Sequence, residues 1–281
     1  MPSLKHIKRR IVSVRSTQQI TKAMNLVAAS KLQKMRIRAI AARGLYENAA
    51  RIVDSAAAVD GAESCEFFGD GRIVKTSAFV VITSDRGLCG GYNSNVCKAA
   101  MAAMDDKNEM VVSIGARGAA YFRRYNKIIA DKKFIGSLDT APFEVAEIIG
   151  GNLASAYLAG EVDEVYVVYT YFESMLSHIP TVRRILPIEP DNASSNAEMQ
   201  YEGGAAKFLE SAVPEYINMF IYGAMEESSA CEQAARMTSM DAASKNAEDL
   251  IDGLTLVYNR QRQSVITQEL NEIVGGANAL Q

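Results

Sequence analysis

Residues 3–58 read SLKHIKRRIVSVRSTQQITKAMNLVAASKLQKMRIRAIAARGLYENAARIVDSAAA, a run with no proline and one glycine, Gly44. Ala, Leu, Met, Lys, Arg and Gln dominate it, the residues that lose least on entering a helix. The stretch therefore predicts one helix about 80 Å long at ~1.5 Å per residue, longer than a helix that only covers the core of a compact domain. Its apolar residues keep a heptad seam, with Leu4, Ile11 and Leu32 on one row and Ile7, Val14, Ala28 and Met35 on the other. Gln18, Thr21 and Asn25 interrupt that seam. Polar seam residues weaken a coiled coil but fix its register, so the pattern predicts a shaft with a specific partner.

The C-terminal part mirrors the start. From Glu215 to Val274 there is again no proline, and only Gly223 and Gly253. Leu250, Leu254 and Val257 keep helical spacing, and Ile266, Leu270, Ile273 and Ala277 form a closing apolar stripe, after which Gly275 and Gly276 are expected to stop the helix. Between the two helices the texture changes. Ser77 to Thr83, Glu109 to Ile114 and Glu164 to Phe172 read as buried strands, while Asn93 to Met104, Arg117 to Tyr125 and Pro142 to Leu158 read as the helices between them. That alternation predicts an α/β domain of Rossmann-like type with a mainly parallel sheet. Ile179 to Ile188 adds a strand that Pro180 and Pro187 restrict to an edge, and Asp191 to Gly204 reads as a loop. The expected organisation is a coiled-coil helix over 1–60, an α/β domain over 61–205 and a second coiled-coil helix over 206–281. Chain ends of a domain tend to lie close, so the helix leading in and the helix leading out are expected to pair antiparallel as a stalk on a globular head.

The chain has 281 residues, 48% of them apolar and 22% charged, which excludes a disordered composition. Its apolar runs are far shorter than the ~20 residues of a membrane span, and no signal-like segment opens it, so a soluble, unprocessed protein is expected. Charge is segregated. Residues 1–46 hold eleven basic side chains and no acidic one, whereas the rest holds 19 basic and 33 acidic residues, a balance of −14. Such asymmetry points to an acidic partner for the first helix, either nucleic acid, a membrane surface or acidic protein elements, unless the basic face is simply solvated.

Candidate chemistry is sparse. Thr83 to Asn93 (TSDRGLCGGYN) is a Gly-rich loop between a strand and a helix, where phosphates are often cradled, yet it lacks both the Gly-Lys-Ser/Thr of a phosphate loop and the dinucleotide fingerprint. It reads as a tight turn with Asp85 and Arg86 as structural hydrogen-bonders, and with Cys89 somewhat reactive at a helix start. Cys65, Cys89, Cys97 and Cys231 show no zinc spacing or disulfide framework, and His6 and His178 read as surface residues. Glu226 and Glu227 read as a solvated helix face, and Met24, Met35, Met237 and Met240 as packing. No catalytic constellation, metal site or cofactor site is expected.

Ile20 to Met24 with Val27 to Lys31, the Ser84 to Asn93 loop, Ala235 to Ala247, and Arg262 to Ala277 are four segments that resemble the γ subunit of F-type ATP synthases of bacterial type. The resemblance covers the whole chain in order. It implies a central rotor shaft whose two terminal helices stand as a coiled coil inside a ring of three α and three β subunits, in one copy per complex. Its α/β domain sits beside ε and on the c ring. It implies no active site, no cofactor, no nucleic acid and only indirect membrane contact, at the cytoplasmic face of the inner membrane. Position by position, Arg9, Arg10, Met24, Lys31 and Arg36 match the face addressed by β levers, and Arg236, Arg262, Gln263 and Thr267 match contacts with β catch loops. Ile266, Leu270, Ile273 and Ala277 resemble a tip turning in an apolar sleeve, and Tyr201 and Glu202 fall at the foot that meets the c ring and ε. Gly203 and Gly204 depart from the family there. The alternatives are a nucleotide-binding α/β enzyme with a coiled-coil appendage and a basic coiled-coil binder of nucleic acid.

Overall fold

The computed structural model describes residues 3–69, 73–104, 108–125, 127–129, 134, 136, 138, 143–175, 177–189, 201 and 203–279. The first long helix, α1, runs Leu4–Ala57. After a short 3-10 turn at Ala62–Ser64, the chain forms β1 (Thr76–Ile82), α2 (Tyr92–Ala103), β2 (Asn108–Ile114), α3 (Ala116–Arg124), β3 (Ile128–Ile129), α4 (Phe143–Leu158), β4 (Glu164–Phe172), β5 (His178–Leu186) and α5 (Ala205–Ala279). No helix among the described residues is long and apolar enough to cross a membrane.

The chain divides into two compact units, residues 1–28 with 237–281 and residues 29–236, so the division cuts through both long helices. The larger unit contains the sheet. Its strand order is β3-β2-β1-β4-β5, with every pair parallel except β4 and β5. The buried runs Ala78–Ile82 and Val167–Tyr169 explain this arrangement: strands apolar on both faces need cover on both. One face packs Phe79, Val81, Val111 and Val168 against Val96, Cys97 and Ala100 of α2 and Phe122 of α3. The other packs Val80, Ile82, Val165 and Val167 against Ile149, Leu153 and Tyr157 of α4, residues 209–225 of α5, and Tyr46 and Val53 of α1. β5 takes the edge, as its prolines dictate. The two-residue β3 extends the other edge and had no counterpart in the strand pattern.

Within this unit Gly223 sets how closely α1 approaches α5, since a Cβ there would lie 2.3 Å from the Tyr46 ring. The ring instead meets Phe220 edge-on at 5.2 Å.

One expectation about α5 needs correction. The helix does not stop at Gly275; its backbone stays helical through Ala279, because a helical glycine costs only about 1 kcal/mol relative to alanine. The helix contains Pro214, as the span 206–281 requires, and the buried Leu209, Val213 and Ile217 around that residue offset the lost main-chain bond. The expected loop over Asp191 to Gly204 lies mostly outside the described residues.

Candidate functional site

In the smaller unit the heptad seam is the buried face. Ile7, Thr21 and Ala28 of α1 and Met240, Ser244 and Ala247 of α5 are all buried. Two of the three polar interruptions, Thr21 and Asn25, prove to be interhelical contacts. Thr21 Oγ1 lies 2.7 Å from Ser244 Oγ, and Asn25 Nδ2 donates to the Met237 carbonyl at 2.8 Å. Each hydroxyl also faces its own helix, Thr21 the Gln18 carbonyl and Ser244 the Met240 carbonyl. With one proton apiece, one hydroxyl donates across the seam while the other bonds locally. As α1 numbers rise and α5 numbers fall along these contacts, the helices are antiparallel.

With the inner face closed by packing, the cations face outward. Arg9 and Arg10 are exposed, and Met24 is half-buried at the seam edge. Thr21 level with Ser244 places Leu4 level with about Gln261, so α5 runs on past the start of α1. Burial ends accordingly: Val265 is half-buried, whereas Ile266, Leu270 and Ile273 are 47%, 56% and 68% exposed. Three large apolar side chains on one bare stripe are costly to keep in water. Ala277 continues the helix. Arg262, Gln263 and Thr267 are exposed just before and within this stripe, with Thr267 Oγ1 donating to the Gln263 carbonyl at 2.9 Å.

In the larger unit the place of interest is the crevice at the carboxyl ends of β1 and β4, where strand order reverses and where open α/β sheets take ligands. Here α5 fills it. Ladder pairing of β1 with β4 ends at Val81 and Val168, leaving later β4 groups open on that side. Thr170 N donates to Ser228 Oγ at 3.3 Å, Cys231 Sγ to the Thr170 carbonyl at 3.5 Å, and Phe172 N to Glu227 Oε2 at 3.1 Å. The other oxygen of Glu227 accepts from Arg43 Nε at 2.9 Å and Tyr46 OH at 3.0 Å, while Arg43 Nη2 donates to the Phe172 carbonyl at 2.9 Å. The Arg43 guanidinium also lies 4.3 Å over the Tyr171 ring. Burial alone would lower the Arg43 pKa, yet the bond and charge of Glu227 carry it above the ordinary arginine value. Tyr46 is raised by burial and by the same carboxylate.

Next to it Glu226 pairs with Arg38, and burial raises its pKa against the opposing pull of that arginine. Both glutamates are 0% exposed, which overturns the solvated face expected from sequence. Their neighbours at 224 to 234 are all buried, a run with no hydrophobic periodicity to announce it. In the sequence Arg38 and Arg43 are likewise only two members of a basic segment.

The Gly-rich loop is a structural turn. Asp85 Oδ1 accepts from Ala116 N and Gly136 N at 2.9 Å each, and Ser84 N donates to Asn93 Oδ1 at 2.9 Å. Arg86 contributes only its carbonyl, to Ser84 Oγ; its side chain is exposed, contrary to the role expected for it. Cys89 is 2% exposed, and burial raises its pKa, so it is not the activated thiol its helix-start position suggested. All four cysteines are buried free thiols, with Cys97 pushed up to about 12 by burial. A disulfide reagent at pH 8 is accordingly expected to label the native chain at well under one thiol per molecule within minutes, and four after denaturation. Fast labelling of Cys89 in the native chain would contradict this environment.

The remaining positions scatter. Lys31 is half-buried and Arg36 exposed, both in the larger unit. Arg236 is buried there, paired with Glu232 Oε1 at 2.6 Å and donating to the Gly87 carbonyl at 3.3 Å, so it holds the turn rather than presenting itself outward. Tyr201 is half-buried against Phe208, with ring centroids 4.8 Å apart, and Glu202 lies outside the described residues. His178 is half-buried beside Phe172, where burial lowers its pKa, rather than lying at the open surface. Among the described residues no three His, Cys, Asp or Glu side chains are grouped to hold a metal ion.

A family model described as ATP synthase matches residues 3–280. A relative from Pelotomaculum thermopropionicum named ATP synthase gamma chain is 41% identical over 286 residues, covering 100% of both chains. One of the same name from Geobacter metallireducens is 38% identical over 288 residues, covering 100% of this chain and 99% of its own. Among solved structures, a chain of the Euglena gracilis mitochondrial ATP synthase (OSCP/F1/c-ring, rotational state 3) is similar with a TM-score of 0.69 at 18% identity, over 99% of this chain and 94% of its own. Another, from the central stalk and c-ring of the Tetrahymena thermophila mitochondrial ATP synthase, gives 0.59 at 22% identity, over 80% and 99%. At those identities the structural likeness concerns the fold alone.

Proposed function

Because the chain belongs to the ATP synthase gamma-chain family, we propose that its two exposed features, the basic outer face of α1 and the bare apolar end of α5, are the surfaces through which it works as the central rotor shaft. As that shaft it couples ion-driven rotation of a c ring to the conformational cycle of β catalytic sites. The observation that carries the assignment of surfaces is the closed seam. It consumes the inner faces of both helices and leaves Arg9, Arg10, Arg262 and the Ile266, Leu270 and Ile273 stripe for partners.

The physics of that role follows from asymmetry. A single shaft cannot make identical contacts with three equivalent β subunits, so each is biased toward a different state by its own contact energy. Exposed cations against acidic levers attract with little geometric demand, each pair contributing on the order of 1 kcal/mol or less, so contacts exchange as the shaft turns. Arg36, Met24 and Lys31 belong to the same set of lever contacts, and Gln263 and Thr267 to the catch contacts. An apolar tip in an apolar sleeve has no directional bonds to break on rotation. Chemistry resides in the ring, with one copy of this chain per complex, ε and the c ring at Tyr201 and Glu202, and a peripheral position at the cytoplasmic face of the inner membrane. Domain roles follow the same division, with 1–60 and 206–281 as the shaft and 61–205 as the foot.

Reconstitution tests this reading. Purified chain mixed with α and β of the same organism is expected to give a complex with one copy of it and to raise ATP turnover. A version ending before Arg262 is expected to lose turnover about tenfold, equivalent to ~1.4 kcal/mol of directing contact. Assembly and turnover indifferent to the chain would overturn the reading.

A further inference from the structure

The geometry points to Glu227 as a positioning residue for coupling: its carboxylate, seated in the sheet's ligand crevice, locks α1 and α5 to β4 so that both helices turn with the sheet. This inference rests on the rotor reading above.

One carboxylate joins three elements, through Arg43 and Tyr46 of α1, its own place on α5, and the Phe172 amide of β4. Arg43 closes the loop by donating to the Phe172 carbonyl. Stability alone does not explain such a cluster, since apolar residues of similar volume commonly serve a buried ion pair's place as well or better. The best-attested use of a buried polar group is to fix register. Beside the Tyr46 and Phe220 rings, many of the buried residues between the helices are small and non-directional: Ala39 and Ala42 on α1, Ala224, Ala230 and Ala234 on α5. Such surfaces slide past one another with little change in contact. Hydrogen bonds of defined direction do not, and Ser228 and Cys231 add two more between α5 and the open side of β4. Arg38 and Glu226 form a second lock between the helices but do not engage the sheet in the same way. The crevice that would otherwise accept a ligand thus accepts the shaft, and Glu227 occupies the position an anionic ligand would take against freed strand amides.

The test uses the complete ATP synthase in inverted membrane vesicles, with this chain carrying Glu227→Gln or, separately, Arg43→Lys. Glu227→Gln keeps the shape and removes the charge; Arg43→Lys keeps the charge and removes the fork to Phe172. ATP hydrolysis is expected to stay within roughly twofold of wild type, because the ring-facing residues are untouched. Ions pumped per ATP are expected to fall. The angular variance of a bead on the c ring with the β subunits immobilised is expected to rise at least about twofold, because the Arg38 and Glu226 pair that remains does not hold the sheet. Arg43→Lys is expected to fall between Glu227→Gln and wild type in both readouts, and carries the same test if Glu227→Gln fails to assemble. Normal pumping ratio and normal variance in an assembled variant, even one with a lowered melting temperature, overturn the proposal and leave Glu227 a packing residue. A wild-type complex that hydrolyses ATP without turning this chain would sink the rotor reading instead.

Discussion

Gly115→Ala is expected to remove most of the stability of the larger unit. Gly115 sits between β2 and α3 with φ +94° and ψ 145°, a region essentially closed to residues with a side chain. A Cβ there would lie 2.0 Å from the Thr83 carbonyl oxygen and 2.7 Å from its carbon. Both obstacles are backbone at the end of β1, and Thr83 is held by its amide to Ile114 O at 2.8 Å and its hydroxyl to the Gly118 amide at 2.8 Å. No rotamer change relieves the clash, so the two central strands must separate or the turn must flip. Backbone strain of about 1–3 kcal/mol adds to the clash, and a total loss above ~4 kcal/mol is expected. Urea unfolding followed by tyrosine signal checks it, with a midpoint lowered by about 2 M or more at an m-value of ~2 kcal/mol/M. Gly61→Ala is the control, since Gly61 has φ +88° but nothing within 4 Å of its Cβ position. It is expected to cost only the strain. Equal midpoints for the two variants would show that the Thr83 contact is not the cause.

Glu227→Ala is expected to cost about 3–5 kcal/mol, the range for removing one partner of a buried, hydrogen-bonded ion pair. The loss leaves Arg43 uncompensated beside Tyr171 and strips an acceptor from Tyr46 and from the Phe172 amide. Glu226→Gln makes the contrast, although that residue is equally buried. Its partner Arg38 is 43% exposed and can turn to water, whereas the Arg43 side chain is 24% exposed and committed to three contacts. The change also removes a carboxylate whose pKa burial has raised. For an acid held above its ordinary pKa when folded, the penalty is absent at low pH and grows as pH rises through the unfolded and then the folded value. Glu226→Gln is therefore expected to lie within about 1 kcal/mol of wild type at neutral pH. Denaturation curves for the two variants side by side decide the matter. A Glu226→Gln loss as large as that of Glu227→Ala would contradict the distinction.

Much of this architecture is local and so was legible in the residues. Helical propensity without prolines marked α1 to within a residue of Leu4 and Ala57, and β-branched runs marked β1, β2 and β4. Two prolines put β5 on an edge because proline cannot donate to a ladder. The short β3 was invisible, since two residues carry no period. Gly275 misled because a glycine in a helix is a small cost, not a terminator.

At the site the division is sharper. Charge segregation and the heptad period, both properties of neighbouring residues, placed exposed arginines on α1 and a polar notch at Thr21 and Asn25. Together with the alternation of strand and helix patterns between the helices, they determined a two-helix protein with a Rossmann-like insert and a basic helix face. Three matters depended on contacts between residues far apart in sequence, and only the tertiary structure decided them. Ser244 and Met237 are the partners that turn the notch into cross-helix hydrogen bonds. Arg236 turns inward to Glu232 and Gly87. Glu227, indistinguishable in sequence from a solvated glutamate, is buried because β1 ends before β4 does and leaves strand amides in want of an acceptor. A side chain's burial is set by what folds over it, and for this carboxylate that cover comes from residues 43, 46 and 172, more than 50 positions away.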